Sequence, residues 1–219
     1  DELIHRVGGT APFEKGLYGA TEMLVDGFFH LYNSNIIRRK VYDWLPLQRW
    51  VSAKETDKVS PELLDFLITS DGIHTHLRAN ELAELHKFNI FKTTVKLHGK
   101  ELDIGGVRVP NDLEDPDTRR ALHEFGLGDV LHNGIKMHGG FFLGPNNFYT
   151  GLKAFSDTQR SEIGMTTVSK VNHLYGGEEL AILQRKDARF INTGLMVTMS
   201  GAVVSDGLDT GQIVSGVGG

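Results

Sequence analysis

A strand pattern close to the end of the sequence restricts the fold more than any other feature. Residues 189–199 are rich in apolar and β-branched residues, and a second apolar run follows Ser200 and Gly201. Two strand-forming runs separated by a short turn are typical of a β-hairpin. We therefore predict a hairpin over residues 195–204, within a strand-rich final region of residues 137–219.

The middle region, residues 44–136, has a mainly helical pattern. Its helix signals are a proline that follows a capping residue, apolar residues at helical spacing, and glycines that end the pattern. Two short runs in this region have the composition of strands. The elements predicted between the two ends of the chain are helices at residues 60–67, 78–88, from 115 onward and 148–155, and strands at residues 93–97 and 107–109.

A glycine-bounded segment near the start of the chain, residues 16–27, contains the carboxylate Glu22 between small and apolar residues. The apolar residues that follow recur at helical spacing, so we expect a helix to begin near Glu22 with Thr21 as its N-cap. A carboxylate at that position would interact favourably with the helix dipole, and the small residues would let another molecule come close. On this segment alone an ordinary surface glutamate in a first helical turn is the simpler interpretation, and both interpretations stay open.

Composition narrows the classes of function. The formal net charge of −5 gives no support for nucleic-acid binding. Without cysteine, the chain has no thiol nucleophile, disulfide or cysteine-zinc site. It has no run of about 18 apolar residues that would span a membrane, and residues 1–6 lack the pattern of a signal peptide. We therefore expect a cytoplasmic location, and the glycine-rich end suggests a piece of a longer polypeptide.

Ten histidines raise the question of a metal site. His74 and His76 would share one face of a strand, but zinc needs further ligands and no H-E-x-x-H motif is present. His132, His138 and His173 lie among glycines in predicted loops, where each is a candidate polar site residue. We predict no metal site, with a metal-dependent hydrolase kept as an alternative.

The last glycine cluster differs from the others in its position. None of the clusters follows the dinucleotide or P-loop pattern, and the sequence has no G-x-S-x-G motif. The final cluster alone comes after the predicted hairpin, so its backbone N–H groups could face an anion or a developing oxyanion. A plain turn is the alternative. The cluster consists of Gly216, Val217, Gly218 and Gly219.

Four segments, taken in order, resemble the C-terminal half of the acetyl-CoA hydrolase/CoA-transferase family, which includes 4-hydroxybutyrate CoA-transferase-like enzymes. Residues 19–27 resemble the segment that holds the nucleophilic glutamate of that family, and residues 171–173 resemble its asparagine-containing loop. The other two segments resemble its apolar strand with the following helix, and its closing series of strand, hairpin and glycine loop. These are residues 141–149 and 191–219.

The resemblance implies an α/β fold with an open mixed sheet flanked by helices, of the CoA-transferase type. It covers residues 1–43 and 137–219, so residues 44–136 are interpreted as an insertion of a subfamily. The implied partners are an acyl-CoA, a small carboxylic acid and the N-terminal half of the same enzyme, without nucleic acid or membrane. Assembly into a homo-oligomer is left open.

The resemblance also implies a reaction and its residues. Glu22 would be the catalytic nucleophile and would carry CoA as a glutamyl-CoA thioester between two carboxylic acids. Asn172, in the loop near the acyl-CoA, would orient Glu22 or the thioester oxygen. Water in place of the second acid would make the enzyme a hydrolase. No cofactor is implied beyond the substrate coenzyme A thioester. The alternative to an enzyme is a non-catalytic acyl-CoA-binding module. The implied oxyanion-binding residues are Gly216, Val217, Gly218 and Gly219.

Overall fold

The computed structural model describes residues 13–173, 175–192 and 194–215. Within these ranges the chain has an α/β architecture, with parallel and antiparallel sheets flanked by helices. In chain order the elements are β1 (Gly19–Leu24), α1 (Asp26–Asn33), α2 (Leu45–Lys54), α3 (Pro61–Thr69), α4 (Ala79–Lys87), β2 (Val95–His98), β3 (Glu101–Ile104), β4 (Val107–Pro110), α5 (Pro116–Ala121) with a π-helical turn (Leu122–Gly126), β5 (Met137–Phe142), α6 (Asn146–Ala154), α7 (Asp157–Ser161), β6 (Ile163–Met165), α8 (Val168–Asn172), α9 (Glu178–Gln184), β7 (Met196–Val197) and β8 (Val203–Val204).

A parallel sheet joins the two ends of the chain. β5 lies between β1 and β6, and both of its neighbours run parallel to it. Side chains alternate between the two faces of a strand. One face of this sheet packs on a small apolar core, whereas α8 covers the other face. The buried residues of the small core are Leu24, Leu31, Ile36, Ile37 and Met137.

The middle region has a separate and larger core. All of its buried members lie between Tyr42 and Leu131. Helices α2 to α5 and the antiparallel sheet β2-β3-β4 surround it. The two ends of this region meet where Val41 and Ile135 exchange backbone hydrogen bonds of 2.9 and 2.8 Å. The interpretation of residues 44–136 as an inserted domain stays a prediction.

The predicted helix start at Glu22 is wrong, because Glu22 lies in strand β1. The segment pairs in parallel with β5, and this tertiary pairing overrides the helical spacing of its apolar residues. α1 begins only at Asp26, after Val25, and has no side-chain cap. Thr21 is therefore not an N-cap; its hydroxyl instead donates to the carbonyl of Met23 at 3.2 Å.

The predicted helices and strands of the middle region are confirmed within a few residues. Proline occupies the first turn of α3 after Ser60, and Asp115 caps α5 by accepting from the Thr118 backbone N–H at 2.8 Å. The sequence pattern missed α2 and β3. α2 has Pro46 in its first turn and buries Leu47 and Trp50.

The final region contains fewer strands than predicted. The helix predicted at residues 148–155 is confirmed as α6, and the hairpin is confirmed but reduced to two residues in each strand. Most of residues 189–199 form no strand because, in the described ranges, their apolar side chains have no neighbouring sheet to pack on. Phe190 is 86% exposed and Ile191 is 59% exposed. In the same ranges, parallel and antiparallel pairings occupy separate sheets rather than one mixed sheet. The CoA-transferase fold type stays a prediction.

Candidate active site

Glu22 lies on the face of the parallel sheet that α8 covers. Its Oε2 accepts a 2.9 Å hydrogen bond from Nδ2 of Asn172, the last residue of α8, across 150 positions of sequence. The neighbouring strand has Gly140 beside Glu22. A Cβ atom on Gly140 would lie 2.7 Å from Val168 and 2.9 Å from the Glu22 carbonyl, so glycine is needed for the close approach of α8.

The short helix α8 positions two polar groups on this face. Thr167 caps the helix by accepting from the Lys170 backbone N–H at 3.3 Å, and Val171 is buried under it. From the same turn, the Lys170 ammonium donates to Oδ2 of Asp43 at 2.6 Å, while Asn172 reaches Glu22. One turn of helix therefore links two carboxylates that are distant in the sequence.

A buried histidine lies next to Glu22 on the same sheet face. His138, 3% exposed, occupies the central strand β5. Its neighbours across the sheet are Ala20 on β1 and Gly164 on β6. A Cβ atom on Gly164 would lie 2.6 Å from the imidazole Cδ2. The imidazole therefore fits on this sheet because its neighbours are small.

Both ring nitrogens of His138 are hydrogen-bonded. Nδ1 is 2.7 Å from the Tyr18 hydroxyl, and Nε2 is 2.9 Å from Oδ2 of Asp43. Gln184 holds the other oxygen of Asp43 at 3.0 Å and also donates to the Tyr42 carbonyl at 2.9 Å. These contacts form a continuous polar network from Tyr18 through His138 to Asp43.

The charge state of Asp43 fixes the direction of hydrogen bonding in this network. Burial opposes its ionisation, but hydrogen bonds from His138, Lys170 and Gln184 outweigh burial and hold the pKa of Asp43 well below its usual range. An ionised Asp43 accepts, so Nε2 of His138 donates to it. Burial raises the pKa of Tyr18, so the phenol keeps its proton and can donate it to Nδ1 of His138.

A cavity of about 360 Å³ opens beside this network. Among the described residues that line it, none is acidic, whereas two carry a positive charge. Ala20 lines the cavity, and Glu22 is the next residue on the same side of β1. The lining residues are Tyr18, Ala20, His138, Thr167, Ser169, Lys170, Val171, His173, Tyr175, Gly176, Gly177, Leu180, Ala181, Gln184 and Arg185.

The structure brings together two of the site residues predicted from the sequence, Glu22 and Asn172. His173 lines the cavity, but His132 is exposed on a loop outside it. The loop position predicted for His138 is wrong, because this residue lies on the central strand. The predicted oxyanion residues Gly216, Val217, Gly218 and Gly219 lie outside the described residues.

Sequence reasoning missed several residues at this site. Tyr18 lies within the segment around Glu22. Its closeness to Glu22 in the sequence was a signal from which a role at the site could have been predicted. Asp43 is 95 positions from His138 and has no motif around it. Lys170 and Arg185 belong to short polar stretches that look like ordinary surface. Only the sheet register and the position of α8 bring these side chains together.

The histidine pair considered for a metal site has other partners. Nδ1 of His74 lies 2.5 Å from Glu81, and Nδ1 of His76 lies 3.2 Å from the Thr75 hydroxyl. Across the described ranges, no three His, Cys, Asp or Glu side chains are grouped as metal ligands would be. The same ranges contain no helix that is long and apolar enough to cross a membrane.

Comparison with known proteins finds a family match over the final third of the chain. Residues 144–219 match the family model of the acetyl-CoA hydrolase/transferase C-terminal domain. No curated protein and no solved structure matches the chain. The matched segment includes Asn172 and most of the cavity lining, while Glu22 lies outside it. The match indicates chemistry of the acetyl-CoA hydrolase or transferase class.

Proposed function

We propose that this chain carries the catalytic domain of an acyl-CoA transferase or hydrolase that uses Glu22 as its nucleophile. The observation that carries the proposal is the hydrogen bond between Glu22 and Asn172. It joins a residue of the matched segment to the carboxylate that family resemblance assigns to catalysis. Asn172 lies in the chain between Val171 and His173, two lining residues of the cavity, and none of the described lining residues is acidic, as a site for negatively charged acids requires.

The reaction consists of exchanges at carbonyl carbons. The Glu22 carboxylate attacks the thioester carbon of an acyl-CoA, the C–S bond breaks, and CoA leaves as a thiolate. The thiolate then attacks the Glu22 carbonyl of the resulting anhydride and releases the first acid as a carboxylate. Glu22 is left as a glutamyl-CoA thioester. A second carboxylate reverses these steps and leaves as a new acyl-CoA, whereas water releases free CoA and restores Glu22.

The local geometry suits a carboxylate nucleophile. Asn172 holds Oε2 at 2.9 Å, so the carboxylate has a fixed orientation and Oε1 is left to attack. Glu22 is partly exposed, which gives an acyl-CoA access to it. The tetrahedral oxyanions also need N–H donors, and one such donor contributes roughly 3 kcal/mol. We assign this role to the loop of Gly216, Val217, Gly218 and Gly219.

Borohydride trapping tests the nucleophile directly. The intact protein is incubated with acetyl-CoA and treated with sodium borohydride, which reduces a glutamyl thioester to an alcohol, and peptides are analysed by mass spectrometry. We expect the modification on Glu22. Bound CoA without modification would instead identify a non-catalytic acyl-CoA-binding module.

A pair of variants completes this test. Glu22→Gln should lower CoA transfer by roughly 10⁴-fold or more, because the nucleophile is lost. Its unfolding midpoint should change little, because the side chain is only partly buried. Glu14→Gln removes a carboxylate from an exposed position earlier in the sequence and should keep full activity. Normal transfer by Glu22→Gln would overturn the proposal.

A further inference from the structure

Helix α8 is too short to be stable without contacts to the rest of the protein. It has five residues, and isolated helices shorter than about 12 residues are marginal in water. Val168 and Val171, three residues apart, lie on one side of it. A Cβ atom on Gly140 of β5 would lie 2.7 Å from Val168, so this side faces the sheet. The orientation of α8, and with it that of Asn172, therefore depends on the contacts of its side chains.

The two polar side chains of α8 leave the helix on opposite flanks. Lys170 and Asn172 precede and follow Val171, and at 3.6 residues per turn their side chains are about 200° apart. Lys170 reaches Asp43 with an Nζ–Oδ2 distance of 2.6 Å, whereas Asn172 reaches Glu22 with an Nδ2–Oε2 distance of 2.9 Å. A roll of α8 on Val171 moves one flank towards the sheet and the other away from it. The two hydrogen bonds together therefore fix the rotation of the helix.

Asp43 is a firmly held partner for Lys170. Its Oδ2 also accepts from Nε2 of His138 at 2.9 Å, and its Oδ1 accepts from Gln184 at 3.0 Å. These donors lie on β5 and α9, so the carboxylate keeps its position without help from α8. The entropy cost of forming the ion pair is therefore confined mainly to the lysine side chain.

A further contact holds the end of α8 but resists rotation less. Nη2 of Arg185 donates to the Val171 carbonyl at 2.9 Å. The carbonyl groups of a helix point along its axis, so a hydrogen bond to one of them acts close to the centre of rotation. The Lys170 side chain acts at a greater distance from the axis and therefore opposes a roll more strongly.

We propose that the ion pair of Lys170 with Asp43 positions Asn172 on Glu22, so that Lys170 and Asp43 are positioning residues of the reaction. The inference rests on the proposed function, because it takes Glu22 as the nucleophile. Loss of the ion pair lets α8 roll and weakens the hydrogen bond that orients the Glu22 carboxylate. A displacement of about 1 Å in a reacting group can lower a rate about 100-fold.

NMR of the Asn172 side chain tests the positioning without any turnover. In the intact protein with isotope-labelled asparagine, the amide signal of Asn172 is identified by its absence in Asn172→Asp. We expect Lys170→Gln to shift this signal in the same direction as Glu22→Gln, which removes the charged acceptor. Lys170→Arg keeps the charge and should shift it less. An unshifted signal in Lys170→Gln would overturn the inference, whatever the rates are.

A double-mutant cycle tests the consequence for the reaction. Lys170→Gln should lower kcat about tenfold and leave KM nearly unchanged, and Lys170→Arg should recover most of the loss. In the Asn172→Ala background, Lys170→Gln should have no further effect, because Lys170 acts through Asn172. Lys186→Gln makes the same change in another ion pair, with its ammonium 3.4 Å from Glu55, and should keep full activity.

The outcomes separate this inference from other roles of Lys170 and from the proposed function. A raised KM with unchanged kcat would show that Lys170 binds substrate, and would contradict the inference. Equal losses in the parent and Asn172→Ala backgrounds would show a general structural role and would also contradict it. Failure of borohydride to modify Glu22 in the parent protein would contradict the proposed function, while the Asn172 signal still decides the positioning.

Discussion

The two apolar cores of this chain differ in what surrounds them. The larger core, between Tyr42 and Leu131, is enclosed by elements that follow one another closely along the chain. The smaller core supports a parallel sheet whose strands come from both ends of the chain, and the other face of that sheet carries the polar site. The larger core is thus built from one continuous stretch of chain, whereas the region with the site depends on contacts between distant segments.

Truncation of one residue in each core should give the largest contrast. Leu64 and Met137 are both fully buried, Leu64 in the larger core and Met137 in the smaller one. Each change to alanine should lower the free energy of unfolding by about 2–5 kcal/mol. Only Met137→Ala should also lower the transfer rate of the folded protein, because Met137 precedes His138 on β5.

Chemical denaturation and steady-state kinetics at a temperature where both variants are folded measure the two effects. A Leu64→Ala variant that folds fully but loses transfer activity would show that the middle region contributes to the site. The comparison between the two cores would then be wrong.

The second-largest effect is expected at the hydrogen bond between Asn172 and Glu22, which are 150 positions apart in the sequence. Asn172→Ala should lower the transfer rate about 10- to 100-fold, because it removes a hydrogen bond to a charged group. Asn172→Asp has nearly the same shape but places a second carboxylate beside Glu22, and should lose more. Rates are measured at saturating acyl-CoA. If the parent protein and the Asn172→Asp variant have equal activity, the N–H donor of the Asn172 side chain is not needed.

A pair of glycines tests how closely the sheet fits its histidine. Gly164→Ala should destabilise the protein by about 1–3 kcal/mol, because the new Cβ atom would lie 2.6 Å from the His138 ring. Gly151→Ala in α6 makes the same change where the Cβ atom meets Phe29 at an ordinary 3.8 Å. That control should be neutral or stabilising by up to about 1 kcal/mol. Thermal unfolding compares the two, and equal destabilisation would argue against the tight packing around His138.

The smallest expected effect is the dependence of stability on pH through Asp43. Its pKa in the folded protein lies below the usual value of about 3.9 for an unfolded chain. The folded state therefore gains stability from the ionised carboxylate above that pH, and loses it progressively as the pH falls further. Asp43→Asn should flatten the decline of stability between about pH 5 and pH 3, as measured by urea unfolding. An unchanged decline would show that Asp43 is not a source of acid sensitivity.

The accuracy of the sequence predictions follows the same contrast between regions. Helices α3, α4 and α5 have local signals, such as Pro61 in a first turn and Asp115 as a cap, and these signals were sufficient. Strand β1 was predicted as a helix start, because the parallel partner that makes it a strand lies more than a hundred residues away. A sequence pattern within residues 16–27 gives no information on a pairing strand at residues 137–142.

Prediction of the site had a similar limit. Glu22 and Asn172 entered through family resemblance, and the structure then placed them 2.9 Å apart. His138 was one of three candidate polar histidines, but no pattern linked it to Tyr18 and Asp43, which lie in other segments. Their association depends on the register that sets His138 between Ala20 and Gly164.

The meeting of Val41 and Ile135 has a practical consequence for protein engineering. Because the chain leaves the parallel sheet and returns to it at one place, the middle region is attached as a closed loop. Exchangeable segments in natural and engineered proteins have ends that are close in this way. A foreign domain with adjacent termini in place of residues 44–133 would meet this geometric condition, but it would also remove the contacts of α2 with α9, which include the ion pair of Arg49 with Glu179.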